Sequence, residues 1–233
     1  MEHEIINGVE ILTEPSQGYA QINDASEEEL RSVWPKLLEK YTGYELFFCF
    51  RNVPVPSSLM EELGAKLLDD SLEMRLSVPD FEEFLKAVIA DVGAGEAAKV
   101  SVVGVTPITE ENFEAFATFH DKSNPDMYWT SRRILERIDL WQIFACFDET
   151  GGVSDYVMLM RPAAEIFCCY TKDATKAKAL LAAAAQNAFV SGAEETLYMI
   201  DKDESLCINA ATALGFRQCG FYQGYRVIVN YSK

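Results

Sequence analysis

The second half of the chain contains short apolar runs at the length of β-strands. Residues 141–147 (WQIFACF) and 153–160 (VSDYVMLM) are rich in aromatic and aliphatic residues, and a polar segment with two glycines separates them. This pattern predicts a hairpin of two strands. Comparable apolar runs predict further strands at 100–105, 164–170, 195–200 and 221–229.

Helical periodicity occupies the segments between these strands. We predict helices that begin at the capping residues Thr109, Ser131 and either Asp173 or Thr175, and one at 205–214. The resulting order is β-α-α-β-β-β-α-β-α-β. A hairpin followed by β-α-β units predicts an α/β fold of the α+β type, with helices covering a mixed sheet.

A shorter version of this order occupies the first 80 residues. Ser26 and Glu29 have the spacing of a capping box, which marks the start of a helix. The predicted elements are a helix to about residue 40, a strand at 44–50, a helix from Ser57 or Ser58 to Leu68, and a strand at 72–78.

A domain boundary is predicted after this αβαβ segment. Residues 81–91 form an amphipathic helix, and the glycine-containing segment 93–96 is typical of a linker. We therefore predict a smaller lobe with its linker helix at residues 1–95 and a larger domain at residues 96–233.

The composition excludes some classes of function. The formal net charge is −17, whereas nucleic-acid binding needs a cationic face, so we expect no nucleic-acid partner. An acidic field favours cationic partners such as an amine or a basic peptide. The alternative is that the acidity serves solubility alone.

The cysteines and the terminal sequence indicate an intracellular protein. None of the six cysteines forms a CxxC pair, which predicts reduced thiols without a disulfide framework or a metal site. The N-terminal segment has no signal-peptide pattern, and no apolar run has membrane-spanning length. We expect a soluble, cytoplasmic protein without a membrane partner.

The element order, the Gly215-Phe216 pair and the closing aromatic strand (GFYQGYRVIV) resemble those of the GNAT superfamily of acetyltransferases. This resemblance implies a GNAT-like acyl-CoA N-acyltransferase fold over residues 96–233. The N-terminal αβαβ segment resembles a partial second copy, as in two-lobed members. A generic αβαβ piece is the alternative.

The resemblance also implies where acetyl-CoA binds as the acyl donor. The superfamily's R/Q-x-x-G-x-G/A loop precedes a helix whose N-terminal amides face the CoA pyrophosphate, since a helix N-terminus favours anions. Here Lys172 takes the Arg/Gln position, Thr175 the first glycine and Ala177 the final small residue. Lys176 and Lys178 add positive charge, whereas an ordinary solvated helix start is the alternative.

The strand before this loop lies beside the pantetheine arm in the superfamily, where the fourth and fifth strands diverge. The resemblance therefore implies contacts from Cys168 and Tyr170. Packing is the expected role of the Cys168 thiol, because no histidine is near it in sequence.

The expected reaction is attack of an amine on the acyl thioester. Ala211 and Glu204 stand where many members have a tyrosine acid and an asparagine, so the usual catalytic group is missing. The remaining candidates for acid or base are Tyr222, Tyr198, His120 and Glu136.

The resemblance implies an N-acetyltransferase that acts on an amine of a small molecule or peptide. The alternative is a catalytically impaired acyl-CoA-binding or interaction module. We also hypothesise that the aromatic segment 127–129 covers the acceptor. The acceptor, the acyl chain and the oligomeric state are not encoded in a recognisable motif.

Overall fold

A computed structural model describes residues 2–92, 104–125 and 127–229, and the chain forms two compact units. One unit holds the residues up to Leu72 together with those from Gly220, and the other holds Glu73–Cys219. The predicted boundary at residues 95 and 96 lies outside the described residues and stays a prediction.

The first unit is a sheet covered by two helices. Its helices are α1 (Glu27–Lys40) and α2 (Ser57–Glu62). Its strands are β1 (Glu2–Ile6), β2 (Val9–Glu14), β3 (Tyr19–Asn23), β4 (Glu45–Arg51) and the larger parts of β5 (Lys66–Ser77) and β11 (Arg217–Ile228). Strands β1, β2 and β3 form an antiparallel meander, β4 pairs parallel to β3, and β11 pairs antiparallel to β4.

Helix α1 shows how the sequence builds this unit. Ser26 and Glu29 form the predicted capping box, which satisfies donors at the start of the helix. Leu30, Val33 and Leu37 recur at helical spacing and are buried against the sheet. The apolar stripe therefore anchors α1 in the core.

The second unit contains the longer series of elements. Its complete strands are β6 (Val105–Pro107), β7 (Trp141–Phe147), β8 (Val153–Met160), β9 (Glu165–Tyr170) and β10 (Glu195–Asp201). Its helices are α3 (Val78–Val92), α4 (Phe113–Ser123), α5 (Ser131–Glu136), α6 (Ala174–Val190) and α7 (Ser205–Ala213). Strands β6 to β9 are antiparallel neighbours, and β10 pairs parallel to β9.

Strand β8 shows that helices cover both faces of this sheet. Tyr156 and Met158 join the apolar cluster that contains Phe116 of α4. Asp155 immediately precedes Tyr156, and its carboxylate bonds to Lys176 of α6. Because alternate strand residues point to opposite faces, α4 and α6 lie on opposite sides of the sheet.

Most predicted elements of the second unit are confirmed, with shifted ends. The hairpin β7–β8 has the predicted bounds, and α6 begins after Asp173. Helix α4 begins at Phe113 because Asn112, rather than Thr109, occupies the N-cap. Thr130 caps α5, so the prediction of Ser131 as its cap was wrong.

Three further differences concern segments with little periodic signal. The strand predicted at 100–105 falls mostly outside the described residues, and the observed strand begins at Val105. The helix predicted to end at Leu68 ends at Glu62, because Gly64 adopts a positive φ of 65° and β5 starts soon afterwards. Strands β1 to β3 were not predicted.

Candidate functional site

Strands β9 and β10 pair over only two residues of each strand. The ladder contains Leu197 opposite Glu165 and Tyr198 opposite Ile166, and it stops there. The equivalent parallel pair of the first unit, β3 and β4, has five residue pairs along the full length of β3. The second unit therefore has a notch between β9 and β10 beyond Ile166, and the first unit has no corresponding gap in its described β3–β4 ladder.

A β-bulge in β9 lies at the beginning of the notch. Leu159 of β8 is opposite Ile166, and Met158 is opposite Cys168, so Phe167 is the extra residue. As a result, Phe167 and Cys168 both pack on the aromatic cluster below α4. Cys169 follows on the other face, where the Cys207 thiol of α7 donates to its carbonyl oxygen at 3.6 Å.

The thiols beside the notch are held in their neutral form. Burial raises the pKa of Cys168 to about 12. A hydrogen bond with Cys207 and burial together raise the pKa of Cys169. Because the thiolate is the reactive form of cysteine, neither side chain is suited to nucleophilic catalysis, as the sequence predicted for Cys168.

The N-terminus of α6 is capped by Asp173. Its Oδ1 accepts hydrogen bonds from the amides of Thr175 at 2.8 Å and Lys176 at 3.1 Å. The Asp173 carboxylate therefore occupies two of the backbone amides that an anion would need, and its own negative charge repels an anion at this helix end. The helix end is therefore a poorer anion site than an uncapped one.

The three lysines near this helix end have different surroundings. The Lys176 ammonium donates to Asp155 Oδ2 at 2.6 Å, so its charge is directed into the protein. Lys172 and Lys178 are exposed, as is Thr175. The side chains that can contact an anion in solvent are thus Lys172, Lys178 and Thr175.

Asp155 is 6% exposed and has three side-chain donors. Besides Lys176, it accepts hydrogen bonds from Ser154 at 2.6 Å and Thr171 at 2.7 Å. Burial opposes the charge of this carboxylate, but the three hydrogen bonds outweigh it and lower the pKa of Asp155. The network ties β8 to the loop that connects β9 with α6.

A second polar network lies on the α4 face. His120 is fully buried; its Nε2 contacts the Trp129 carbonyl oxygen at 2.7 Å, and its Nδ1 contacts the Tyr156 hydroxyl at 2.8 Å. Because a carbonyl oxygen only accepts, Nε2 carries a proton and donates to Trp129. Asn124 donates to the Tyr156 hydroxyl at 2.9 Å.

Tyr198 lies at the last residue pair before the notch and is buried. Burial raises the pKa of its hydroxyl, so Tyr198 keeps its proton at neutral pH. It also forms a hydrogen bond with the Cys207 thiol. A buried hydroxyl that keeps its proton beside the notch can donate a hydrogen bond, but its raised pKa makes it a weak acid.

Solved structures share this architecture, although no family model and no curated protein matches the sequence. A conserved protein of unknown function from Staphylococcus epidermidis superposes with a TM-score of 0.63 and 12% identity, over 94% of this chain and 90% of that one. A GCN5-related N-acetyltransferase from Sphaerobacter thermophilus has a TM-score of 0.63 and 13% identity, over 95% and 76% of the two chains. A tandem GNAT protein from the clavulanic acid biosynthesis pathway, solved without acetyl-CoA, has a TM-score of 0.60 and 11% identity, over 97% and 79%.

The chain has the GNAT fold. At sequence identities of 11 to 13%, these matches establish a shared fold and do not establish a shared activity. Within the GNAT fold, the notch and the start of α6 lie where the sequence resemblance predicted the acyl-CoA site.

The catalytic candidates from the sequence are spread over the GNAT fold. Tyr198 and His120 belong to the second unit, on opposite faces of the β9 region. Glu136 is exposed at the end of α5 and bonds to Arg132 at 3.0 Å. Tyr222 belongs to the first unit, where its hydroxyl donates to the Cys49 sulfur at 3.0 Å.

Sequence reasoning missed several residues around the notch. These are Asp155, Tyr156, Phe167, Trp141 and Cys207. Asp155 carried a usable signal, because a lone carboxylate within the apolar run VSDYVMLM must find partners or stay at the surface.

Two general properties complete the description of the site. No three metal-binding side chains are grouped within the part of the chain that the structure describes. None of the described helices has the length and apolarity needed to cross a membrane.

Proposed function

We propose that this protein is an N-acyltransferase that transfers an acyl group from acetyl-CoA to an amine of a small molecule or peptide. The observation that carries the proposal is the notch in the β9–β10 ladder beside the start of α6. Unpaired strand edges offer backbone groups to the amides of a pantetheine arm. The same feature is absent from the described β3–β4 ladder of the first unit.

The proposed cosubstrate contacts follow from this geometry. The backbone of Cys168 and Tyr170 lines the notch for pantetheine, while Lys172, Lys178 and Thr175 face the phosphates. Ala177 is buried, and its small side chain allows α6 to approach the sheet closely. Lys176 contributes indirectly, because it fixes Asp155 and thereby the loop before the helix.

The proposed reaction forms an amide bond and breaks the thioester bond. The amine nitrogen attacks the acyl carbon, loses a proton to solvent, and the CoA sulfur leaves. The departing thiolate takes a proton from solvent, which balances the proton lost by the amine, and Tyr198 stabilises the developing thiolate with a hydrogen bond. His120 has a positioning role, because both of its ring nitrogens already have partners in Trp129 and Tyr156. We assign no role to Glu136 or Tyr222.

A binding module without turnover is the second candidate. It is favoured by the buried Ala211, which stands where many superfamily members have their acid, and by the Asp173 cap. Such a module would bind acyl-CoA at the same notch and release no thiol.

Calorimetry with acetyl-CoA tests the site with two variants that should change the affinity in opposite directions. The combined variant Lys172→Gln and Lys178→Gln should weaken binding about fivefold or more, because it removes two charges near the phosphates. Asp173→Asn keeps a good capping residue but removes a negative charge, so it should strengthen binding about threefold.

Matched controls make this test specific to α6. Lys122→Gln on α4 and Glu29→Gln at the start of α1 change the same charges elsewhere and should leave acetyl-CoA affinity unchanged. Undetectable binding of acetyl-CoA to the unmodified protein would refute both candidates. A thiol-release assay with a panel of amines then separates the enzyme from the module.

A further inference from the structure

The indole N–H of Trp141 has no hydrogen-bond partner among the residues that the structure describes. Trp141 is 1% exposed, and its Nε1 is the single buried side-chain nitrogen or oxygen atom without a partner among the described residues. Buried donors are nearly always paired in folded proteins, so an orphan of this kind requires an explanation. An absent ligand with a hydrogen-bond acceptor provides one.

Two partly exposed aromatic rings flank this indole. Trp129 lies 5.1 Å away and Phe167 5.4 Å away between ring centroids, both with edge-to-face geometry. Phe167 is the bulged residue of β9 and the first residue beyond the last β9–β10 pair. The three rings therefore form a continuous aromatic wall that ends at the notch.

The backbone that carries Trp129 is held by the helices on either side. His120 donates to the Trp129 carbonyl oxygen, and the Asp121 carboxylate accepts from the Ser131 amide at 2.8 Å and from its hydroxyl at 2.5 Å. The Arg133 guanidinium lies 4.1 Å from the centre of the Tyr128 ring. The backbone that carries Trp129 is thus preorganised, which reduces the entropy lost when a ligand binds.

We propose that the acyl acceptor is an amine that carries an aromatic ring and a hydrogen-bond acceptor on that ring. The ring packs on the exposed parts of Trp129 and Phe167, and a displacement of these two rings lets the acceptor atom reach the Trp141 N–H. Its ammonium group is attracted by the acidic chain and by the faces of the aromatic rings before it loses a proton. This inference rests on the proposed function, because it assigns the second substrate of the same notch.

A matched pair of amines tests the hydrogen bond directly. Para-methoxyphenethylamine and para-ethylphenethylamine have similar size, but the ethyl compound lacks the ether oxygen. Calorimetry in the presence of CoA should show about tenfold tighter binding of the methoxy compound, because the ethyl compound leaves the buried donor unpaired. Spermidine, which has no ring, should bind more weakly than either.

Variants assign the effect to one atom. Trp141→Phe keeps an aromatic ring without the N–H and should abolish the tenfold difference. Trp34→Phe makes the same change in the core of the first unit and should preserve it. Trp129→Leu should weaken both ring compounds several-fold while acetyl-CoA affinity stays constant.

The outcomes separate this inference from the proposed function. Equal binding of the two compounds to the unmodified protein overturns the inference without any variant, as would happen if the N–H points at a neighbouring ring. Discrimination that persists in Trp141→Phe overturns it as well. The unmodified protein could instead bind no acetyl-CoA and still bind the methoxy compound more tightly than the ethyl compound. That result would refute the proposed function and leave the aromatic site intact.

Discussion

Asp155 shows how a single residue can connect the sheet to the candidate site. Its carboxylate joins Ser154 on β8, Thr171 in the loop after β9 and Lys176 on α6. The Lys176 side chain is partly exposed, whereas Asp155 is nearly buried. Removing the carboxylate therefore costs mainly its own hydrogen bonds, since the lysine can be hydrated.

We predict that Asp155→Asn lowers the free energy of unfolding by about 1–3 kcal/mol near neutral pH. The pKa of Asp155 is lowered in the folded protein, so its stabilisation is present above the ordinary carboxyl pKa. That stabilisation is lost as the pH falls through the folded-state pKa. Urea unfolding of both proteins between about pH 7 and about pH 3 should show the difference shrinking on acidification.

The exposed residue Asp203 provides the control for this series. Asp203→Asn should change stability little at any pH, because surface substitutions away from such networks have small effects. A stability difference for Asp155→Asn that does not vary with pH would show that packing, rather than the charge, is responsible.

Only part of this residue-level chemistry could be predicted from the sequence. Asp173 was one of two predicted capping residues because the cap and its helix are adjacent in the chain. The Asp155–Lys176 bond joins residues on different elements, and no local spacing encodes it. The unpaired Trp141 N–H could not be predicted either, because the lack of a nearby hydrogen-bond acceptor is a property of the folded structure.

At the level of elements, helices and strands with strong hydrophobic periodicity could be predicted from the sequence, and those with weak periodicity could not. The β7–β8 hairpin and α6 were predicted because each has a long apolar pattern with clear end signals. Strands β1, β2 and β3 have five or six residues each, β1 and β2 carry charged side chains, and β3 carries uncharged polar ones, so the alternation is faint. The bulge at Phe167 changes which side chains face α4, and periodicity cannot reveal it.

The notch gives a prediction at the same scale. Backbone amides of Phe167–Tyr170 and Met199–Ile200 that lack a ladder partner should exchange quickly with solvent in the free protein. Acetyl-CoA at about ten times its dissociation constant should slow this exchange about tenfold, because binding closes the open state. Hydrogen exchange followed by mass spectrometry measures both segments.

The first unit supplies the comparison for this experiment. Its β3 and β4 segments are fully paired, so acetyl-CoA should leave their exchange unchanged. Slowing in β3 and β4 without slowing in β9 and β10 would place the cosubstrate in the wrong unit for the proposal.

On the scale of the whole molecule, the chain returns to its first unit at its end. Residues 222–228 of β11 pair with residues 45–51 of β4, although more than half of the chain lies between them. The sequence resemblance indicated a partial second copy at the N-terminus, but it placed the whole of β11 in the larger domain. Long-range pairing of this kind has no local signal, so the composition of the units required the structure.

The net charge of −17 acts on both proposed substrates, and it acts with opposite sign. Acetyl-CoA is a polyanion, so the long-range field opposes its approach, whereas a protonated amine is attracted. Raising the salt from about 20 mM to about 300 mM shortens the Debye length from about 20 Å to about 6 Å and screens this field. The dissociation constant should therefore fall about twofold for acetyl-CoA and rise about threefold for a phenethylamine. In the combined Lys172→Gln and Lys178→Gln variant, local attraction to the phosphates is lost, so the fall for acetyl-CoA should be larger. If calorimetry shows that salt weakens acetyl-CoA binding, the local lysines dominate the field of the whole chain. If salt leaves the binding of the phenethylamine unchanged, the acidity of the chain has no part in selecting the acceptor.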